Sequence, residues 1–234
     1  MKRVIEQTED GSATLFVPEL NEHYHSVKGA QTESRHIFID MGLNASRAAQ
    51  PHVLEIGFGT GLNALLTLEE AERRQREVRY TGIERYPLSW EEVKALEYSE
   101  NPLFRQLHTV PWEKEVKISP HFTLKKICAD VTELFEGDKQ PGKGNDKENA
   151  LSEHNESLPL FDVVYFDAFA PEKQPEMWGK EVLTSIYGCM NEGGVLTTYC
   201  AKGDIRRLLQ AIGFRVERLP GPPNGKREIL RATK

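Results

Sequence analysis

Four carboxylates sit in or just after apolar runs that read as strands: Glu55 inside V-L-E-I, Glu84 after Y-T-G-I, Asp130 after K-I-C-A and Asp167 after V-V-Y-F. Acids at the carboxyl ends of such strands face the crevice where open α/β sheets take their ligands. The first run is followed at once by Gly57, Gly59 and Gly61 in G-F-G-T-G. Without Cβ atoms this loop can pass close to a bound molecule, and the first N–H groups of a following helix face the same space. Its spacing is G-x-G-x-G, not the G-x-G-x-x-G of dinucleotide enzymes. A carboxylate at Glu55 would repel a pyrophosphate and suits a cation. The loop therefore favours S-adenosylmethionine, which carries an ammonium and a sulfonium but no phosphate.

Glu84 stands 23 positions after Gly61. An acid closing the second strand of such a unit is placed to accept both ribose hydroxyls, one on each oxygen. Asp130 has two open roles: acceptor for the adenine amino group, or helix N-cap for V-T-E-L with Glu133 completing a capping box. Asp167 ends a central strand beside the first. Glycine turns and strand-end acids also occur in domains that bind nothing. Their coincidence in one chain is what favours a nucleoside site.

The periodicity that must position these groups alternates strand and helix. Helices are expected at 62–76, 87–97 (Trp90, Val93 and Leu96 inward), 182–190 and 204–212, and strands at 53–56, 78–83, 122–127 and 161–166. V-L-T-T-Y-C follows an N-E-G-G turn, and R-V-E-R-L pairs with R-E-I-L-R-A-T around P-G-P-P-N-G. The pattern predicts an α/β fold with a doubly wound, mostly parallel, seven-stranded sheet and an antiparallel last strand. Residues 1–50 read as a small N-terminal extension packed on the core, and 51–234 as the main domain. Within it, 137–159 is nearly devoid of large apolar residues and reads as a flexible insertion.

The chain has 234 residues, a net charge of −6 and a pI near 5.7, so it lacks a general nucleic-acid signature. Between 202 and 234, however, nine basic residues face three acidic ones. Such a segment can supply phosphate contacts, or simply solvate a surface. No apolar run is long enough to span a membrane and no signal peptide is evident, so a cytoplasmic location is expected. Cys128, Cys189 and Cys200 share no C-x-x-C spacing and read as reduced thiols; His23 and His25 have no third partner nearby. No metal site is expected.

V-L-E-I-G-F-G-T-G-L-N, Y-T-G-I-E-R-Y-P-L, F-D-A-F-A-P-E-K-Q-P-E-M-W and K-R-E-I-L-R-A-T together resemble the MnmC-type family of class I methyltransferases. The resemblance covers most of Tyr24 to Thr233 apart from the insertion, and the stretch from Asp167 to Trp178 is its most specific part. It implies a Rossmann-like domain that uses S-adenosyl-L-methionine to methylate the aminomethyl nitrogen of 5-aminomethyl(-2-thio)uridine at the tRNA wobble position. The partner implied is the anticodon region of tRNA. The length suggests a stand-alone form without the fused FAD-dependent oxidoreductase domain. On this reading Glu55, Gly57, Gly59, Gly61, Asn63, Glu84 and Asp130 hold the cofactor, and Asp167 aims the amine. Tyr24, Phe169 and Trp178 meet the substrate base, and Arg206, Arg207, Lys226 and Arg227 meet phosphates. A transferase acting on a small-molecule amine, which also needs an acid after the fourth strand, and a non-catalytic nucleoside-binding domain are the alternatives.

Overall fold

The apolar run Val53–Ile56 is buried on both faces, at 1% exposure or less throughout, and its strand lies at the centre of the molecule. The computed structural model describes residues 2–136 and 158–234; residues 137–157 of the expected insertion lie outside the described residues. Strands β1 (Val4–Gln7), β2 (Ala13–Val17) and β3 (Glu22–His23) form a small antiparallel sheet, followed by helix α1 (Ala30–Ser34) and a π-helical turn at Arg35–Asp40. Ile37, Phe38 and Ile39 of that turn are at most 2% exposed and join the core on one face of the main sheet, with Phe38 lying 5.1 Å from the Tyr165 ring.

The main chain of alternation is β4 (His52–Ile56), α2 (Leu62–Arg74), β5 (Val78–Glu84), α3 (Trp90–Lys94), α4 (Pro102–Thr109), β6 (Glu115–Ser119) and β7 (Phe122–Cys128). It continues through α5 (Val131–Glu136), β8 (Phe161–Phe166), α6 (Lys180–Gly188), β9 (Met190–Thr198), α7 (Gly203–Ile212), β10 (Arg215–Pro220) and β11 (Glu228–Thr233). The sheet order is β10-β11-β9-β8-β4-β5-β7-β6. The chain winds from β4 outward through β5 and β7, then returns to β8 and winds the other way. The topological switch lies between β4 and β8, so a crevice opens at their carboxyl ends. One core cluster joins α2 and α4 to the N-terminal segment, and the other joins α5, α6 and α7 on the opposite face.

Several expectations shift. The sheet has eight strands, not seven, because β6 pairs antiparallel with β7 at one edge. β11 is antiparallel to both β9 and β10 and lies between them, which leaves β10 as the edge. Helix 87–97 shrinks to α3: Ser89 caps it in a full capping box with Glu92. A separate helix, α4, follows, capped by Asn101 with proline at its first turn. The N-E-G-G stretch lies within β9, where pairing with β8 changes register, so it is a bulge-like irregularity in one strand. Among the described residues no helix is long and apolar enough to cross a membrane.

Candidate functional site

A cavity of about 400 Å³ opens at the switch point. The loops after β4, β5, β7 and β8 line it, and residues 20–27 of the N-terminal segment close one side. Gly57 leaves β4 with φ +90, and a Cβ there would stand 2.9 Å from the Asp167 carbonyl oxygen. Gly59 has φ +48 and lies under Tyr24, whose ring a Cβ would meet at 3.1 Å. Side chains are excluded at both positions by conformation and by space. Gly61, also at positive φ, caps α2 without a side chain of its own and does not line the cavity.

Glu84 ends β5 at the cavity wall. Its Oε2 accepts the Gly59 N–H at 2.9 Å and its Oε1 the Tyr86 N–H at 2.8 Å. Each carboxylate oxygen retains a second acceptor position. Asp130 performs the capping role: its Oδ1 accepts the Thr132 N–H at 2.9 Å and the Thr132 hydroxyl at 2.7 Å. Its Oδ2 meets the Arg85 guanidinium, and the residue still lines the cavity beside Val131.

The deepest polar group is a three-residue assembly. Asn63, in the first turn of α2, donates its amide N–H groups to Glu55 Oε1 and to Asp167 Oδ2, both at 2.8 Å. Burial pushes the Glu55 carboxyl well above the usual range, and Asp167 and Glu84 push the same way. Burial likewise pushes Asp167 up to about 7; Glu33 adds to this, whereas the Asn63 bond and Lys226 oppose it. Glu55 is 1% exposed and stands behind Asn63, not at the cavity surface, so it reaches a ligand only through that amide. The Tyr80 hydroxyl also acts on the Glu55 carboxyl, and Asn63 Oδ1 is buried without a hydrogen-bond partner among the described residues.

The mouth is aromatic. Phe169 and Tyr24 meet edge to face at 5.3 Å, and Tyr199 donates its hydroxyl to the Ala168 carbonyl at 2.8 Å. Lys226 was expected to face phosphates. Its ammonium instead lies 3.5 Å from the Tyr199 ring centroid, at the cavity edge. Trp178 does not reach this mouth. It is 4% exposed, donates its indole N–H to the Phe169 carbonyl at 2.8 Å and packs on Phe166, so it supports Phe169 from behind and cannot stack on a base. Arg207 pairs with Asp204 on α7. Arg206 and the exposed Arg227 form no ion pair among the described residues. Glu33 and Tyr199 line the cavity without having been singled out by the sequence, and His25 lines it too. His25 shares a 2.8 Å bond with Thr60, and burial lowers it to about 4, so it is neutral at physiological pH. Among the described residues no group of acidic, histidine or cysteine side chains could hold a metal ion.

A family model described as S-adenosyl-L-methionine-dependent methyltransferase matches residues 144–234. The chain is 30% identical over 241 residues to the tRNA 5-methylaminomethyl-2-thiouridine biosynthesis bifunctional protein MnmC of Paracidovorax citrulli, a match covering 99% of this chain. The MnmC protein of an Acidovorax species is 30% identical over 247 residues, covering 100% of this chain. The chain spans 35% of the length of each of these relatives. The crystal structure of MnmC2 from Aquifex aeolicus superposes with a TM-score of 0.76 at 25% identity, over 99% of this chain and 70% of that one. The chain is an S-adenosyl-L-methionine-dependent methyltransferase of the class I fold, similar to the MnmC proteins over part of their length.

The cradle of this methyltransferase fits S-adenosyl-L-methionine. Its glycines leave room where a Cβ would collide, Glu84 keeps acceptor positions, and Asp167, held by Asn63 at the cavity floor, suits a cationic ligand. Gly57→Ala is expected to weaken binding of S-adenosylhomocysteine more than tenfold, measured by calorimetric titration. The methyl group would press on the Asp167 backbone, and the backbone conformation would add about 1–3 kcal/mol of strain. Unchanged affinity would remove the loop from the cofactor site.

Proposed function

We propose that this methyltransferase transfers a methyl group to the aminomethyl nitrogen of 5-aminomethyl(-2-thio)uridine at the wobble position of tRNA. The observation that carries the reading is the half-buried Asp167 carboxyl, held by Asn63 on the cavity floor beneath the aromatic rim. The relatives' names, which place them in tRNA 5-methylaminomethyl-2-thiouridine biosynthesis, supply the substrate.

S-adenosyl-L-methionine supplies an electrophilic methyl on a sulfonium; Gly57, Gly59, Asn63, Glu84 and Asp130 are the residues assigned to hold it. A primary amine arrives largely protonated, and only its free lone pair can attack. Asp167, with a pKa near 7, is matched to take or relay that proton at neutral pH while it fixes the nitrogen's direction. With the cofactor held there, Asp167 would aim the amine lone pair at the methyl carbon, receive the proton the nitrogen gives up and pass it to solvent. Tyr24 and Phe169 offer π-faces and edges to an unstacked base. Arg206 and Arg227 lie outside the cavity and are assigned to phosphates. A cytoplasmic location accords with such a substrate.

Intact tRNA carrying the aminomethyl group should accept labelled methyl, whereas its nuclease digest and free small amines should not. Transfer to small amines at equal efficiency would favour the small-molecule alternative. Arg206→Ala combined with Arg227→Ala is expected to lower tRNA affinity and reduce the slope of log K against log salt by about 1–2. S-adenosylhomocysteine affinity should stay unchanged; an unaltered salt slope would take these arginines out of the interface.

A further inference from the structure

Glu22, Glu33 and Glu176 line the cavity without a role in the account above, and of these Glu33 has a buried, unpartnered oxygen among the described residues. Glu33 comes from α1, in the N-terminal segment, and lines the cavity with Tyr199 and Lys226. The Ser26 backbone N–H acts on its carboxyl as a donor, but its Oε2 is buried without a hydrogen-bond partner among the described residues. A carboxylate oxygen withdrawn from water with no donor is costly unless a ligand supplies one.

The position of Glu33 decides which ligand. Glu84 and Asp130 mark the nucleoside end of the cavity, after β5 and β7. Glu33 instead acts on the other end: its charge is felt by Asp167 and by Tyr199, and Lys226 is the cation that acts on it. Lys226 acts on Glu33 through charge while its ammonium lies over the Tyr199 ring. Glu33 and Asp167 thus line the same cavity from distant segments of the chain and act on one another through charge. Burial pushes Glu33 upward, and an entering ammonium would reverse that and favour its ionised form.

We infer that Glu33 is a second carboxylate that receives the ammonium of the acceptor and so selects an amine-bearing base over the same base without the amine. This rests on the functional reading above and deepens it. Asp167 then handles the proton and direction of attack, while Glu33 holds the incoming cation through a charge-assisted hydrogen bond. The contribution sits in recognition and disappears if the acceptor carries no positive charge.

The test uses Glu33→Gln in the full chain, which keeps the size of the side chain and removes its charge. KM for tRNA bearing the aminomethyl group should rise roughly tenfold, as expected for one charge-assisted bond. The inhibition constant of tRNA with an unmodified wobble uridine and the dissociation constant of S-adenosylmethionine should both stay within twofold. Weakened S-adenosylmethionine binding would overturn the inference by assigning Glu33 to the cofactor. A parallel loss of affinity for unmodified tRNA would overturn it by making Glu33 a general scaffold residue, and an unchanged KM would overturn it outright. Failure of the unaltered enzyme to methylate tRNA would be a different result, which removes the functional reading itself. Thermal unfolding of the variant, with a midpoint near that of the unaltered protein, separates these outcomes from misfolding.

Discussion

Asp167→Asn is expected to lower kcat by roughly 10²–10⁴-fold, the usual worth of a positioned general base, with little change in S-adenosylmethionine affinity. Asparagine keeps the size and can still accept the Asn63 N–H, but it cannot take a proton. The pH profile follows from the same group. Asp167 is pushed up to about 7, so its ionised fraction rises through neutrality. kcat/KM of the unaltered enzyme should therefore climb through a limb near pH 7, with an apparent pKa that belongs jointly to Asp167 and its acidic neighbour Glu55. The limb should vanish from the residual activity of the variant.

Stability should move the opposite way. A carboxyl whose folded pKa lies above its unfolded value holds extra protons when folded, so it costs stability as pH rises from about 4 to 7, and the cost is complete above 7. Asp167→Asn removes that cost. At pH 8 the variant should be more stable by roughly 1–2 kcal/mol, less than the ~4 kcal/mol of three full pKa units because water reaches the cavity. At pH 4 the gain should disappear. A variant with normal kcat, or one destabilised at pH 8, contradicts the assignment.

Asn63→Leu is expected to cost about 1–3 kcal/mol or somewhat more in urea unfolding at pH 8, since one amide satisfies both carboxyls and the fully buried Glu55 loses a donor outright while the half-buried Asp167 loses one that water partly replaces. Protonation relieves part of this, so the penalty should shrink at pH 5, where the Asp167 carboxyl carries its proton. Methyl transfer should be lost with it, because Asp167 then has no fixed orientation. A cost below about 1 kcal/mol at both pH values would mean that the carboxylates find other donors.

Much of the site is legible in the sequence for a simple reason. Glu84, Asp130 and Asp167 lie where an apolar run ends and a turn or helix begins, and in a parallel sheet such boundaries gather at one edge. Gly57 and Gly59 are legible because only glycine satisfies the backbone there. What was missed depends on contacts between segments distant in the chain. Nothing in the spacing of Glu55, Asn63 and Asp167 reveals that one amide bridges two carboxyls, or that Glu55 stands behind it. Glu33 lies in a short helix of the N-terminal segment, with no motif to mark it. Trp178 looked like a stacking residue because aromatic type is visible and burial is not. Lys226 belongs to a basic run, but its ammonium lies on an aromatic ring that the run does not predict. β6 and α4 escaped because E-V-K-I-S is short and largely polar, and Phe104 and Leu107 are too few apolar residues to stand out as a helical face.

The most direct test of the central claim is nucleoside analysis after labelled methyl transfer from S-adenosylmethionine to bulk tRNA taken from cells blocked before this step. The account predicts label in 5-methylaminomethyl(-2-thio)uridine and none when Asp167→Asn replaces the unaltered enzyme. Label in any other nucleoside, or no label despite demonstrated cofactor binding, would contradict it.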